Sequence, residues 1–270
     1  MRYLLFVLLL ASTLTAVLEV SSPIKKTVSV QGEEVFLGVI GPGQTIELVA
    51  DRSSGIKAVT SADGTGIAKW DHLVAVDLPS GWTSQPSKFY EQPMRLFITA
   101  DAHAPDGDYF VSVRSLDEYE GAGTLLFKAK IKISRNVLDV SLFQNDLSTG
   151  AGQPAVFFVR LSNKGVASDA FEISLLDLPQ AWVYSKKVLV PLESEVLVPY
   201  ELIAEEDGEY DFDFNVESLS SREINVKKKA VLRVEASLEQ DLRAISKGAL
   251  LFPSGEQIVY ALLGFFYSFD

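Results

Sequence analysis

Cysteine is missing from all 270 residues. No disulfide staples this chain, and zinc sites built on thiolates are excluded. Histidine occurs only as His72 and His103, and there is no Gly-x-Ser-x-Gly elbow to hold a nucleophile beside either of them. A basic excess is also missing. The chain has 24 Lys and Arg against 36 Asp and Glu, a formal net charge of −12. Binding nucleic acid needs clustered cations to neutralise phosphates, so no nucleic-acid partner is expected. There is no phosphate loop, no Gly-x-Gly-x-x-Gly strand–helix unit and no N-glycosylation sequon. What is present is apolar mass: hydrophobic residues make up 47%, enough for real cores in two domains of ordinary size.

The two ends read as membrane-minded. Arg2 precedes an apolar run from Tyr3 to Val17, the layout of a secretory signal or of an uncleaved N-terminal anchor. Residues 1–22 are assigned to that segment and are predicted as an apolar helix. Ala16 suits a cleavage site, but Leu14 is large for the position two residues before it. Export without disulfides is the habit of prokaryotic proteins. At the other end, Leu238, Leu242, Ile245 and Ala249 recur at helical spacing, Pro253-Ser254-Gly255 breaks the chain, and Gln257 to Phe269 is apolar on nearly all sides. Residues 237–270 are therefore predicted as a short helical hairpin. As a helix, 257–269 would reach about 20 Å, short of the ~30 Å hydrocarbon core. Its cover is a lipid interface, a partner protein, or the chain's own second domain. The expected partners are the membrane, through the N-terminal and C-terminal apolar segments, and an envelope protein or a glycan.

Between the ends the texture is β. In Tyr210-Asp211-Phe212-Asp213-Phe214-Asn215-Val216-Glu217 the apolar residues alternate with polar ones, the period of a half-buried strand. Short strands without helical crossovers predict sandwiches. The pattern also occurs twice. Leu78-Pro79-Ser80-Gly81-Trp82 returns as Leu178-Pro179-Gln180-Ala181-Trp182, each preceded by Asp. Asp106-Gly107-Asp108-Tyr109 returns as Asp207-Gly208-Glu209-Tyr210, and Gly41-Pro42-Gly43-Gln44 as Gly150-Ala151-Gly152-Gln153. Three landmarks in one order mark a duplication, divided into 24–134 and 136–236. The first copy carries extra residues around Asp51–Lys69, rich in Gly and Ser, that read as a surface loop.

The order Gly-rich turn, Leu-Pro-x-Gly-Trp, then Asp-Gly-x-Tyr resembles the Ig-like domains associated with carbohydrate-binding NPCBM modules. Related domains recur in archaeal and bacterial surface proteins. The resemblance covers about residues 24–236 in two copies, and the second copy departs from it at Ala181. It implies two tandem Ig-like β-sandwiches and a spacer, linker or adhesion role, with motif residues that are structural rather than catalytic.

Few residues stand out as candidates for chemistry. Glu205, Glu206, Asp207 and Glu209, with Asp211 and Asp213 beyond them, form the densest acidic turn and the only calcium candidate, although they lack EF-hand spacing. Trp82 and Trp182 sit at repeated corners and are expected in the cores. Trp70 has no counterpart in the second copy, so it is singled out as a ligand contact. No catalytic residue and no cofactor is expected. The expected function is a non-enzymatic, exported cell-surface or envelope protein acting as a structural or interaction module. The alternative is a carbohydrate- or protein-binding adhesion module that uses loops of the first sandwich.

Overall fold

The computed structural model describes residues 15–59 and 66–235. The first half contains β1 (Leu18–Ser22), β2 (Lys26–Val28), β3 (Glu34–Ile40), β4 (Thr45–Ala50), β5 (Ser53–Lys57), β6 (Ile67–Lys69), β7 (His72–Asp77), β8 (Thr83–Gln85), β9 (Met94–Thr99), β10 (Gly107–Leu116) and β11 (Thr124–Ile133). The second contains β12 (Leu138–Leu142), β13 (Asp146–Thr149), β14 (Pro154–Asn163), β15 (Asp169–Leu176), β16 (Lys186–Val190), β17 (Glu195–Ile203), β18 (Gly208–Ser218) and β19 (Asn225–Val234).

Alternation decides which faces are buried. Ile46, Leu48 and Ala50 of β4 point inward, as do Phe212, Phe214 and Val216 of β18. These and their partners form one hydrophobic core per half. In the first half, a sheet ordered β2-β1-β4-β9-β8 packs on β3-β11-β10-β7. Counting the seven main strands from β1, this is the arrangement of first, second, fifth and fourth strands against third, sixth and seventh. In the second half the sheets are β12-β14-β17 and β13-β19-β18-β15-β16. Here the fourth main strand, β16, has moved to the opposite sheet and pairs with β15. Both halves also carry a tyrosine corner, with Tyr109 Oη donating to Pro105 O and Tyr210 Oη to Glu206 O, each at 3.0 Å. Both halves are Ig-like β-sandwiches.

The repeated landmarks meet in space. Trp82 packs on Tyr109 with ring centroids 5.2 Å apart, and Trp182 packs on Tyr210 at 4.9 Å. Trp82 is buried, whereas Trp182 is partly buried against the second core. The glycine difference has a local cause. Gly81 has φ +80, and a Cβ there would lie 2.1 Å from Asp101 Oδ2, so the first corner requires glycine. The second corner is rebuilt as a 3-10 turn, Gln180–Trp182, with the positive φ moved to Asp177, which leaves Ala181 exposed.

Several sequence-based expectations are corrected. Leu18 and Val20 alternate with Glu19 and Ser21, so residues 18–22 form β1 of the first sandwich rather than the end of an apolar helix. The first sandwich accordingly starts before residue 24. Residues 51–69 include the hairpin of β5 and β6 rather than a plain loop. Residues 1–14 and 236–270, with the predicted C-terminal helical hairpin, lie outside the described residues. Among the described residues there is no α-helix, and no helix is long and apolar enough to cross a membrane, so neither the helical parts of the predicted fold nor the membrane contact is supported. The described chain also begins and ends at opposite extremes of the tandem: Val17 N bonds Ser54 O at the outer end of sandwich 1, and Glu235 N bonds Thr149 O at the outer end of sandwich 2.

Tyr200 shows how the second core treats a polar group. It is fully buried, stacks on Tyr184 at 4.4 Å, and donates its hydroxyl to Tyr184 O. Burial pushes its pKa up to about 12. Because the unfolded chain ionises near pH ~10, the folded state holds this proton more tightly. The contribution is complete below pH about 10 and is lost as pH rises toward about 12. An absorbance titration should show one tyrosine ionising near pH 12, and the urea midpoint should fall between pH 9 and pH 11.5 (about those values).

Candidate functional site

Two places concentrate polar chemistry. The first is the junction between the sandwiches. Asp169 is buried, yet its carboxyl accepts four donors: Gln44 Nε2 at 2.7 Å, Ser218 Oγ at 2.6 Å, Ser220 Oγ at 2.7 Å and its neighbour Ala170 N at 2.8 Å. Gln44 belongs to the first sandwich, and its Oε1 accepts Gly41 N at 2.7 Å. The turn that carries it needs glycine, because Gly43 has φ +71 and a Cβ there would lie 2.2 Å from Ser220 O. Val166 N also donates to Val39 O, and Ser221 Oγ to Ala102 O. Val166 and Ala167 enter the core of the first sandwich. At the rim Arg135 bonds both Asp106 and Glu223, and His103 Nδ1 lies 3.1 Å from Glu223 Oε1. His103 and Arg135 together hold the Glu223 carboxyl below the usual carboxylate range. Buried polar groups that are fully paired specify one arrangement, so the two sandwiches are fixed to each other by more than their linker.

The second place is the outer end of sandwich 1, opposite the junction, where the segments at 51–54, 70–72, 86–93 and 117–123 converge. Its framework is an ion pair. Arg52 Nη2 lies 3.1 Å from Asp71 Oδ1, Arg52 Nε donates to Trp70 O, and Glu118 N donates to Asp71 Oδ2. Asp71 is buried and its backbone carbonyl accepts Tyr90 N. Asp117 closes the adjoining turn. Burial would raise its pKa, but the backbone N–H groups of Glu120, Ala122, Tyr119 and Gly123 outweigh burial and hold it low. On this framework stand exposed aromatic rings. Phe89 is 53% exposed and Tyr90 55%, with centroids 6.0 Å apart. His72 stacks on Phe89 at 4.4 Å, nearly parallel, and the Arg52 guanidinium sits 5.4 Å from the Tyr90 ring. Tyr90 has φ 61, a conformation that costs a non-glycine residue energy and that the surrounding bonds impose. Desolvation, then Asp71 and Glu118, pushes its hydroxyl pKa up.

The residues singled out from sequence fall differently. Trp70 is fully buried, and its Nε1 donates to Val17 O at 2.8 Å, so it offers no ring face to a ligand. It lacks a counterpart in the second copy because it seats the unrepeated hairpin and the strand that leads in from Val17. Glu205, Glu206, Asp207 and Glu209 are exposed on their turn, and Glu209 pairs with Arg233. Among the described residues no group of three or more His, Asp or Glu is placed to hold a metal ion. Asp211 and Asp213 lie opposite Val231 and Lys229 on β19, so they belong to a surface of mixed charge. His72 and His103 serve packing and the junction rim respectively. Sequence reasoning missed Phe89 and Tyr90, which stand in an irregular segment without periodicity; their only signal was two adjacent aromatics among polar residues. It also missed Asp169, whose donors are distant in sequence.

No family model and no curated protein matches this chain. Solved structures do. Among them are the fibronectin(III)-like modules of Clostridium thermocellum CbhA, at 13% identity and TM-score 0.28, covering 82% of this chain and 96% of that one. Another is a chimeric titin Z1Z2 functionalised with an exogenous peptide from decorin, at 13% identity and TM-score 0.35, covering 83% and 99%. A third is an endo-fucoidan hydrolase of glycoside hydrolase family 107, at 11% identity and TM-score 0.34, covering 78% of this chain and 28% of the hydrolase.

Proposed function

We propose that this chain is an exported, non-enzymatic interaction module of the cell envelope, in which a fixed pair of sandwiches holds out the aromatic end of the first to a carbohydrate. The observation that carries this reading is the Phe89–Tyr90 platform, which is exposed and yet held by the buried Arg52–Asp71 pair. Loops clustered at one end of an Ig-type sandwich are where such domains carry recognition. Aromatic faces meet the C–H faces of sugar rings, while Arg52 and Glu118 at the rim supply polar partners. The pairing of the two halves at Asp169 supports a spacer role alongside recognition. The absence of cysteine supports a prokaryotic origin, and the Leu-Pro-x-Gly-Trp corner with the Asp-Gly-x-Tyr turn supports kinship with NPCBM-associated Ig-like domains of archaeal and bacterial surface proteins.

A glycan array tests the reading. The wild-type chain is expected to bind a subset of neutral or acidic oligosaccharides. Tyr90→Ala and Phe89→Ala are each expected to weaken binding at least tenfold, on the order of 1.4 kcal/mol, while shifting stability by less than about 0.5 kcal/mol as surface substitutions do. Binding that survives both substitutions, or no binding to any glycan, removes the carbohydrate reading.

A further inference from the structure

The two copies differ most on one surface, the outer face of the sheet built on their first, second and fifth main strands. In sandwich 1 that face is polar. Thr45 bonds Thr99 across β4 and β9 at 2.8 Å, and Arg95 lies 3.5 Å from Glu47. β8 also extends the sheet there. In sandwich 2 the fourth strand has left for the other sheet, and the same face is apolar. Pro154 registers with Ile203, Phe158 with Pro199 and Arg160 with Leu197. Leu197 is 52% exposed, Ile203 44% and Phe158 41%, and Phe143 beside them is 73% exposed. The strand edge is already blunted: Lys186 Nζ donates to Pro199 O, and Tyr184 Oη accepts Glu201 N. Pairing of a further strand along β17 is therefore obstructed, while the face itself stays open. A hollow of about 400 Å³ lined by Trp182, Tyr184 and Ile203 adjoins it.

An exposed apolar face of this kind needs a cover, and the chain supplies one. Glu235 leaves at the outer end of sandwich 2, where Val234 pairs with Gly208 and Gly152 N bonds Ala204 O, next to the end of β17. Thirty-five residues follow in the sequence, among them 257–269, which contain no charged side chain and carry Ile258, Val259, Leu262, Leu263, Phe265 and Phe266. The intervening 236–256 can extend up to roughly 70 Å, against about 30 Å for the length of β17. A tether of this kind sets an effective concentration in the millimolar range, above that of any free partner. We infer that residues 257–269 of the same chain cover the Phe158–Leu197–Ile203 face of the second sandwich, with an aromatic side chain in the hollow beside Trp182.

The chain has no cysteine, so a single introduced thiol reports cleanly. Leu197→Cys is made in the full chain, and its rate of reaction with a soluble maleimide is measured. Val76→Cys, on the exposed face of sandwich 1, is the control. The Leu197→Cys thiol is expected to react at least tenfold faster when Leu262→Asp and Leu263→Asp are added, with the Val76→Cys rate unchanged and a monomeric mass by light scattering throughout. Equal rates with and without the two Asp substitutions overturn the inference. So does protection that depends on protein concentration and comes with a dimeric mass, which assigns the face to a second copy. Protection seen only with added phosphatidylglycerol vesicles overturns it in favour of lipid. Circular dichroism confirms that each variant keeps its β content.

Discussion

Asp169→Ala is expected to lower the stability of the tandem by about 3–5 kcal/mol and to split one melting transition into two. The carboxyl group is the only acceptor shared by Gln44 of the first sandwich and Ser218 and Ser220 of the second. Removing it leaves a buried amide and two hydroxyls without that partner, each at a cost of about 1–3 kcal/mol before relaxation. The hydroxyls can rotate toward other acceptors, whereas the Gln44 amide is fixed by Gly41 N on its other side. Much of the loss should therefore fall on the coupling between sandwiches rather than on either core. Calorimetry reads the split, and small-angle scattering reads the wider spread of interdomain distances. Asp169→Asn, which keeps one carbonyl oxygen, should lose less and retain a single transition. A single unshifted transition in the alanine variant would show that the linker and the apolar contacts at Val166 suffice without the polar cluster.

Trp70→Ala is expected to cost about 3–5 kcal/mol, the largest effect of any aromatic truncation in sandwich 1. The ring is among the largest fully buried side chains, and its Nε1 ties the incoming chain at Val17 to the core. Truncation opens a cavity and leaves Val17 O without its donor, so the Arg52–Asp71 framework above it should loosen as well. At roughly 4–8 °C per kcal/mol for a domain of this size, the first sandwich should melt more than 10 °C lower. Any loss of ligand binding in this variant would follow from lost structure. Tyr90→Ala separates the two effects, because Tyr90 is half-exposed and contributes little to the core. The prediction fails if Trp70→Ala melts within a few degrees of wild type.

Much of the architecture was legible because it rests on local rules. The alternation in Tyr210–Glu217 became β18 with Phe212, Phe214 and Val216 buried. The repeated Trp and Tyr became paired corners because each sandwich must close its core at the same place. The N-terminal run was misread at its end, since an apolar run that passes into Leu18-Glu19-Val20-Ser21 changes period from helix to strand within a few residues. Trp70 was misread because lacking a repeat partner was taken as a sign of exposure, when it marks the place where an inserted hairpin needs a core of its own.

The amino-acid sequence by itself determined the number of domains, their all-β character and the position of their corners. These follow from periodicity and from Gly, Pro and aromatic residues at fixed offsets, which act over a few residues. Only the tertiary structure decided that β8 and β16 join opposite sheets, that Asp169 ties the two sandwiches through Gln44, and that Phe89 and Tyr90 rather than Trp70 face outward. Each of these depends on which distant groups share a desolvated space, and burial of that kind is a property of the whole packing rather than of any window of sequence.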